Sequence, residues 1–175
     1  RSNIDNISIN LPRLALETES EFKDSSFEDK LVRFKSKWHH VAEITKDILL
    51  DRFEKTCNAD IDLFPTIRDY KLTCEDINEV GLKETFKHGT LSIGFIGLSE
   101  AMEVLSGKKY WKDESVYKEA INFVKYMRSY TDELKDTYNL NFSLLATSGE
   151  YISGRFEEID NKLFKSPIME KGYYT

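Results

Sequence analysis

No apolar run in the 175 residues approaches the roughly 20 that a membrane-crossing helix needs. A helical span is therefore not expected, and no membrane partner is implied. Cysteine occurs twice, as Cys57 and Cys74. Two isolated thiols make neither a disulfide framework nor a CxxC pair, and reduced, partly buried thiols in a cytoplasmic protein are the expectation. Basic clusters are missing too. Lys and Arg total 25 against 31 Asp and Glu, a net charge of -6, which opposes nucleic-acid binding because phosphate neutralisation needs clustered cations. A nucleotide needs only one local anion site and stays within bounds. Internal repeats and low-complexity segments are absent. There is no initiator Met, and Arg1 leads directly into a strand-like run, so both ends are expected to be cuts in a longer chain.

What is present is an ordinary globular composition. Hydrophobic residues make up 40% and aromatics 13%, enough to bury a core and unlike a disordered chain. Residues Asn6 to Asn10 alternate polar and apolar, with Ile7 and Ile9 on one face, which predicts a strand that Leu11-Pro12 ends. Phe27, Leu31, Phe34, Trp38, Val41, Ile44, Ile48 and Phe53 recur at helical steps, with Ser25 and Glu28 as a capping box. A helix of this length suggests packing along something larger. A short helix is expected near Asp76 to Phe86. Leu91, Ile93 and Phe95 alternate as a strand, and Leu98 to Leu105 has helical spacing up to Gly107.

Ser115 to Tyr138 predicts a second long helix, with Val116, Ala120, Phe123, Met127, Leu134 and Tyr138 as its stripe and Asn139 as a left-handed stop. Phe142 to Ala146 reads as a buried strand, Thr147 to Gly154 as a loop, and Glu157 to Phe164 as a last helix. Strands separated by long helices imply parallel pairing through crossovers, hence an α/β fold.

The loop from Thr147 to Arg155 follows a strand and precedes a helix. In α/β sheets ligands sit at the carboxyl ends of strands. Hydroxyls, glycine N–H groups, a helix N-terminus and an Arg suit phosphate; the other reading is a polar connection with no ligand. His88 to Gly97 is not a GxGxxG fingerprint, and Gly94 and Gly97 equally fit close strand–helix packing. His88 is either a ligand or base, or a structural histidine. His39 and His40 point different ways on one helix and make no metal pair. No Ser/His/Asp set and no special carboxylate pair can be assembled.

Four stretches together resemble the anaerobic, glycyl-radical (class III) ribonucleoside-triphosphate reductases. Ser8 to Ala15 (SINLPRLA) looks like the family's INLPR segment, and His88 to Ala101 (HGTLSIGFIGLSEA) resembles its strand-to-helix block. Asn141 to Arg155 (NFSLLATSGEYISGR) is similar to the family's NFSLLATPAEGLSGR, and Lys171 to Thr175 (KGYYT) is similar to the family's next stretch. Where the family has Pro-Ala-Glu-Gly, this chain has Ser148-Gly149-Glu150-Tyr151, so only Glu150 matches and a bulky residue replaces a glycine.

The resemblance implies that residues 1–175 are one helix-rich segment of the ten-stranded α/β barrel shared by ribonucleotide reductases and glycyl-radical enzymes. It implies an oxidoreductase that converts ribonucleoside triphosphates to deoxyribonucleotides, commonly with formate as reductant. A glycyl radical, structural zinc and the thiyl cysteine belong to the parent enzyme, and no cofactor is expected within this segment. Neither Cys57 nor Cys74 matches the thiyl motif. A radical-SAM activating enzyme, nucleotide effectors including ATP, and a homodimeric parent are implied as partners. By residue match, Asn3 falls near substrate and formate. Thr147, Ser148, Gly149 and Glu150 fall on the substrate-phosphate loop, and His88, Gly89 and Thr90 on a strand facing the barrel interior. Competing expectations are a fragment of another glycyl-radical enzyme, such as a formate-lyase relative, and a non-catalytic module that binds a nucleotide or a partner.

Overall fold

The computed structural model describes residues 3–73, 75–166 and 172–175; Arg1, Cys74 and Lys171 lie outside them. The alternating run at the start forms β1 (Asn3–Asn10), three residues longer than its pattern indicated. Pro12 does end this strand, but it also opens a helix that the sequence pattern did not reveal. In α1 (Leu11–Glu21) Pro occupies the first turn, where no N–H is needed, and the Asn10 side chain caps Arg13 N at 3.1 Å.

The long helix α2 (Phe27–Cys57) is capped by Ser26, which accepts from Asp29 N at 3.1 Å. The box is thus Ser26 with Asp29, one residue beyond the expected Ser25 and Glu28. Its buried face runs through Leu31, Phe34, Trp38, Ala42, Thr45, Leu49 and Phe53. Ile44 and Ile48 are exposed. Steps chosen for bulk drifted off the face that 3.6 residues per turn defines, which small residues complete here.

Short helices α3 (Pro65–Tyr70) and α4 (Ile77–Phe86) come next, then β2 (Thr90–Ile96) and α5 (Leu98–Ser106), which stops at Gly107 as expected. Helix α6 (Glu114–Tyr138) starts at the Asp113 cap and ends at Asn139, whose φ is 52°. Its stripe holds as far as Leu134, and Tyr138 is partly exposed. Strand β3 (Asn141–Ala146) is an edge strand rather than a buried one; Phe142 is its one fully buried side chain.

Among the described residues the sheet has three strands, in the order β1-β2-β3, all parallel. Each connection is a helical crossover, as parallel pairing requires. One face of the sheet is apolar: Ile7, Ile9, Leu91, Ile93, Phe95, Phe142 and Leu144 join the core beneath α2 and α6. Between those helices Phe34 and Phe123 meet with ring centroids 4.7 Å apart, and Trp38 meets Tyr130 edge-on at 5.6 Å.

The last helix, α7 (Glu150–Phe164), begins seven residues before the expected Glu157. The connection from β3 is therefore only Thr147 to Gly149. Gly154, a turn former by composition, lies inside this helix, where a Cβ would make ordinary contact with the Gly172 carbonyl at 3.6 Å.

Candidate functional site

The second face of the sheet is largely polar, with Leu145 and Ile96 as apolar residues toward its carboxyl end. Register places Asn6, Ser8 and Asn10 of β1 beside Ser92, Gly94 and Ile96 of β2, with Thr90 next to Asn3 and Asn141. Ser92 and Ser143 share a hydrogen bond at 3.0 Å, and Asn141 Nδ2 donates to Thr90 Oγ1 at 2.7 Å. Parallel sheets usually bury both faces in apolar side chains. A parallel sheet with hydroxyls and amides across one face is built to line a polar interior, and this face is the candidate site.

At its carboxyl end, Thr147 continues the ladder by donating its N–H to Phe95 O at 3.0 Å. Its hydroxyl meets that of Ser8 at 2.7 Å, two strands away. They meet above Gly94, where a Cβ would overlap Thr147 Oγ1 and lie 2.7 Å from Ser8 Oγ. Gly149 then opens α7 without a side-chain cap, leaving the first helical N–H groups available to a ligand. Tyr151, in place of the family's glycine, is 77% exposed on the first turn, with its OH accepting from Arg155 at 3.4 Å. At Gly149 the nearest atoms to a Cβ would be those of Ile152, Thr147 and Ile96, at 3.5–3.7 Å, rather than those of Tyr151.

The remaining candidate residues gather at the other end of the sheet. Asn3 pairs with Thr90; with its amide nitrogen toward the strand it donates to Thr90 O at 3.0 Å and to Asp5 O at 3.2 Å. His88 and Gly89 precede β2 in a turn, and only Thr90 belongs to the strand. Gly89 is required by close approach, since a Cβ there would overlap Ile4. His88 is exposed, 3.9 Å from Glu75, and lines a cavity of about 790 Å³ with Lys87, Lys135 and Asn141. The candidates thus form two groups. Asn3, His88, Gly89 and Thr90 lie at the amino ends of the strands, and Thr147, Ser148, Gly149 and Glu150 at the carboxyl ends. The seven residues of β2 put roughly 20 Å between them.

A buried carboxylate ties this architecture together. Asp160 of α7 has 0% exposure and accepts from Asn10 Nδ2 at 2.8 Å, Arg13 Nε at 2.6 Å and Tyr174 OH at 2.9 Å. Burial, and then the Asp160 charge, push the Tyr174 phenol well above its ordinary range. Burial also raises the neighbouring Glu157, with Asp160 and Glu158 adding to it. Thr175 Oγ1 donates to Glu100 at 3.0 Å and its carbonyl accepts from Gly97 N at 2.6 Å. Two of the four recognised stretches, INLPR and GYYT, therefore meet in space at Asp160.

Sequence reading did not find Ser8, Ser92, Ser143 or Asp160. A signal existed for the first three: polar residues at alternate positions of strands separated by long helices. Asp160 carried none, since an acid in a helix normally faces solvent. Cys57 is partly buried and its thiol is pushed up by desolvation. The described residues contain no group of three or more His, Cys, Asp or Glu placed to hold a metal, and no helix long and apolar enough to cross a membrane.

Comparison with known proteins matches residues 1–175 to the family model described as anaerobic ribonucleoside-triphosphate reductase. The enzyme of that name from Salmonella typhimurium is 31% identical across all of this chain, and that from Escherichia coli K12 is 26% identical. The chain spans 24% of the length of each. A solved anaerobic ribonucleotide reductase superimposes with a TM-score of 0.71 at 18% identity, over 99% of this chain and 25% of that one. The Thermotoga maritima enzyme with dATP bound in its specificity site gives 0.67 at 17% identity, over 99% and 27%.

Proposed function

The chain belongs to the anaerobic ribonucleoside-triphosphate reductase family, and on that premise we propose that it is one segment of the catalytic barrel of such an enzyme. Membership sets aside the reading as a formate-lyase relative. In this proposal β1, β2 and β3 supply three strands of the ten-stranded barrel, and the polar face that carries Ser8, Ser92 and Ser143 lines its interior.

The reaction is reduction of a ribonucleoside triphosphate to the deoxyribonucleotide. In the parent enzyme a glycyl radical would supply the radical chemistry at the ribose, with formate as reductant and the 2′ hydroxyl lost as water. No residue of this chain is assigned to the radical, and no donor set among the described residues fits zinc. The chain's own part is binding and orientation. The Thr147 hydroxyl and the N–H groups of Ser148, Gly149 and Glu150, at the start of α7, hold substrate phosphates, since a helix N-terminus favours anions. Asn3, with His88, Gly89 and Thr90, lines the amino-end side of the same interior, roughly 20 Å from the phosphate loop. Effector nucleotides, a radical-SAM activating enzyme and dimerisation belong to the parent molecule, which acts in the cytoplasm.

The observation that carries this reading is the one-sided polar sheet ending at the Thr147 connection. It is tested in the full-length reductase carrying this segment, assayed anaerobically after activation. Asn3→Ala lowers turnover while the unfolding midpoint stays near that of the parent. Undiminished turnover removes Asn3 from the site. The 175-residue segment alone converts no ribonucleoside triphosphate; conversion by it overturns the segment reading.

A further inference from the structure

We propose that Ser8 is a positioning residue that orients the Thr147 hydroxyl toward substrate phosphate, through the gap left by Gly94; this rests on the phosphate-loop reading above.

Ser8 lies on one outer strand and Thr147 directly follows the other; outer strands lie about 9–10 Å apart across a three-stranded parallel sheet. Hydroxyls on such strands ordinarily cannot touch, because a side chain on the middle strand fills the space. Here they meet at 2.7 Å because position 94 has none. The backbone of Gly94 does not call for glycine, since its φ is not among the positive ones. Its smallness is explained by the pair above it: a Cβ would overlap Thr147 Oγ1 and press within 3.3 Å of the Ser8 backbone.

The direction of the shared proton decides what the pair does. A hydroxyl offers one hydrogen and two lone pairs. If Thr147 donates to Ser8, its oxygen faces a phosphate with lone pairs and repels it. If Ser8 donates to Thr147 Oγ1, the Thr147 hydrogen is free to point at an anionic oxygen, and the two bonds polarise each other. An anion at the loop selects the second arrangement, so Ser8 O–H to Thr147 Oγ1, and Thr147 O–H to phosphate, form one relay of donors. No bond is made or broken and no proton changes owner. Ser8 acts on binding alone, equally in the ground and transition states, which raises KM without lowering kcat when it is lost.

The experiment uses the full-length reductase carrying this segment. Ser8→Ala raises KM for a ribonucleoside triphosphate about three- to tenfold, the effect of one neutral hydrogen bond, with kcat unchanged. The inhibition constant of inorganic tripolyphosphate rises in parallel, while that of the unphosphorylated ribonucleoside stays put. Ser8→Thr, which keeps the hydroxyl, restores the parent values. The double variant of Ser8→Ala with Thr147→Val is no worse than Thr147→Val alone, because one residue works through the other. Additive effects, or a fall in kcat with KM constant, overturn the positioning role while leaving the phosphate loop intact. If Thr147→Val itself changes neither KM nor tripolyphosphate inhibition, the phosphate-loop reading fails and the relay with it.

Discussion

At Gly97 two constraints coincide: φ is 79°, and the Pro12 ring occupies the place a Cβ would take. Gly107 has a similar φ of 70° but open space around it. A left-handed backbone costs an ordinary residue about 1–2 kcal/mol, and forcing atoms into a packed region adds about 1–3 kcal/mol. Gly97→Ala therefore destabilises by about 2–5 kcal/mol and Gly107→Ala by about 1–2 kcal/mol, as urea unfolding of the two variants side by side measures. Equal losses mean that Pro12 moves aside freely. Asp160 is the other residue on which separate elements converge. Asp160→Asn leaves the Arg13 guanidinium without its charge partner next to a buried amide. Because Arg13 is partly exposed, the expected loss is about 2–4 kcal/mol, at the lower side of what breaking a buried pair costs. A thermal melt of Asp160→Asn that overlays the parent rules out this role.

Between elements, the joint of α2 with α6 carries a testable polar contact. Tyr130 OH donates to Glu43, whose carboxylate also takes Lys46 Nζ at 2.9 Å, and the tyrosine bond is the main cause holding the Glu43 carboxyl below its usual value. A depressed acid adds stability above its unfolded value of about 4.5 and loses it as pH falls through the lower folded value. Tyr130→Phe thus costs about 1 kcal/mol at pH 7, discounted for the exposure of Glu43, and the deficit shrinks below about pH 4.5. A deficit that is constant from pH 7 to pH 3 assigns the effect to packing instead.

The elements were legible to different degrees, for physical reasons. The long helices α2 and α6 and the strand β2 declared themselves through sustained periodicity, and Asn139 and Gly107 through the left-handed turns they permit. Helix α1 was hidden because Pro12 reads equally as a strand terminator and as a helix opener. The start of α7 was hidden because Ser153 and Gly154 are turn formers by composition, yet both lie inside the helix. Of the candidate site, Thr147 and its neighbours were visible as chain punctuation between a strand and a helix. The Ser8 contact was not, because it joins residues 139 positions apart and depends on a side chain that is missing.

For the molecule as a whole, the unpartnered surfaces set its behaviour alone. Tyr151, Ile159 and Leu163 stand exposed at steps of four and eight along α7, a stripe at helical period. Among the described residues β1 and β3 each have a strand neighbour on one side, and such edges are a template for association. The isolated segment is expected to sediment above its 20.4 kDa mass, increasingly so with concentration. Ile159→Lys with Leu163→Lys lowers that association measurably in sedimentation velocity. An unchanged profile shifts the cause to the strand edges.

Parallel pairing by helical crossovers also has a consequence in time. Asn3 finds its partner in Thr90, so β1 leaves the ribosome before its β2 neighbour has been made. At about 5–20 residues per second, roughly 4–18 s pass before β2 is made. Within this segment α2, which packs on β1, is the element available in that interval to shelter Ile7 and Ile9. The polar side of β1, with Asn6, Ser8 and Asn10, then serves the nascent chain as a water-compatible surface long before any ligand reaches it.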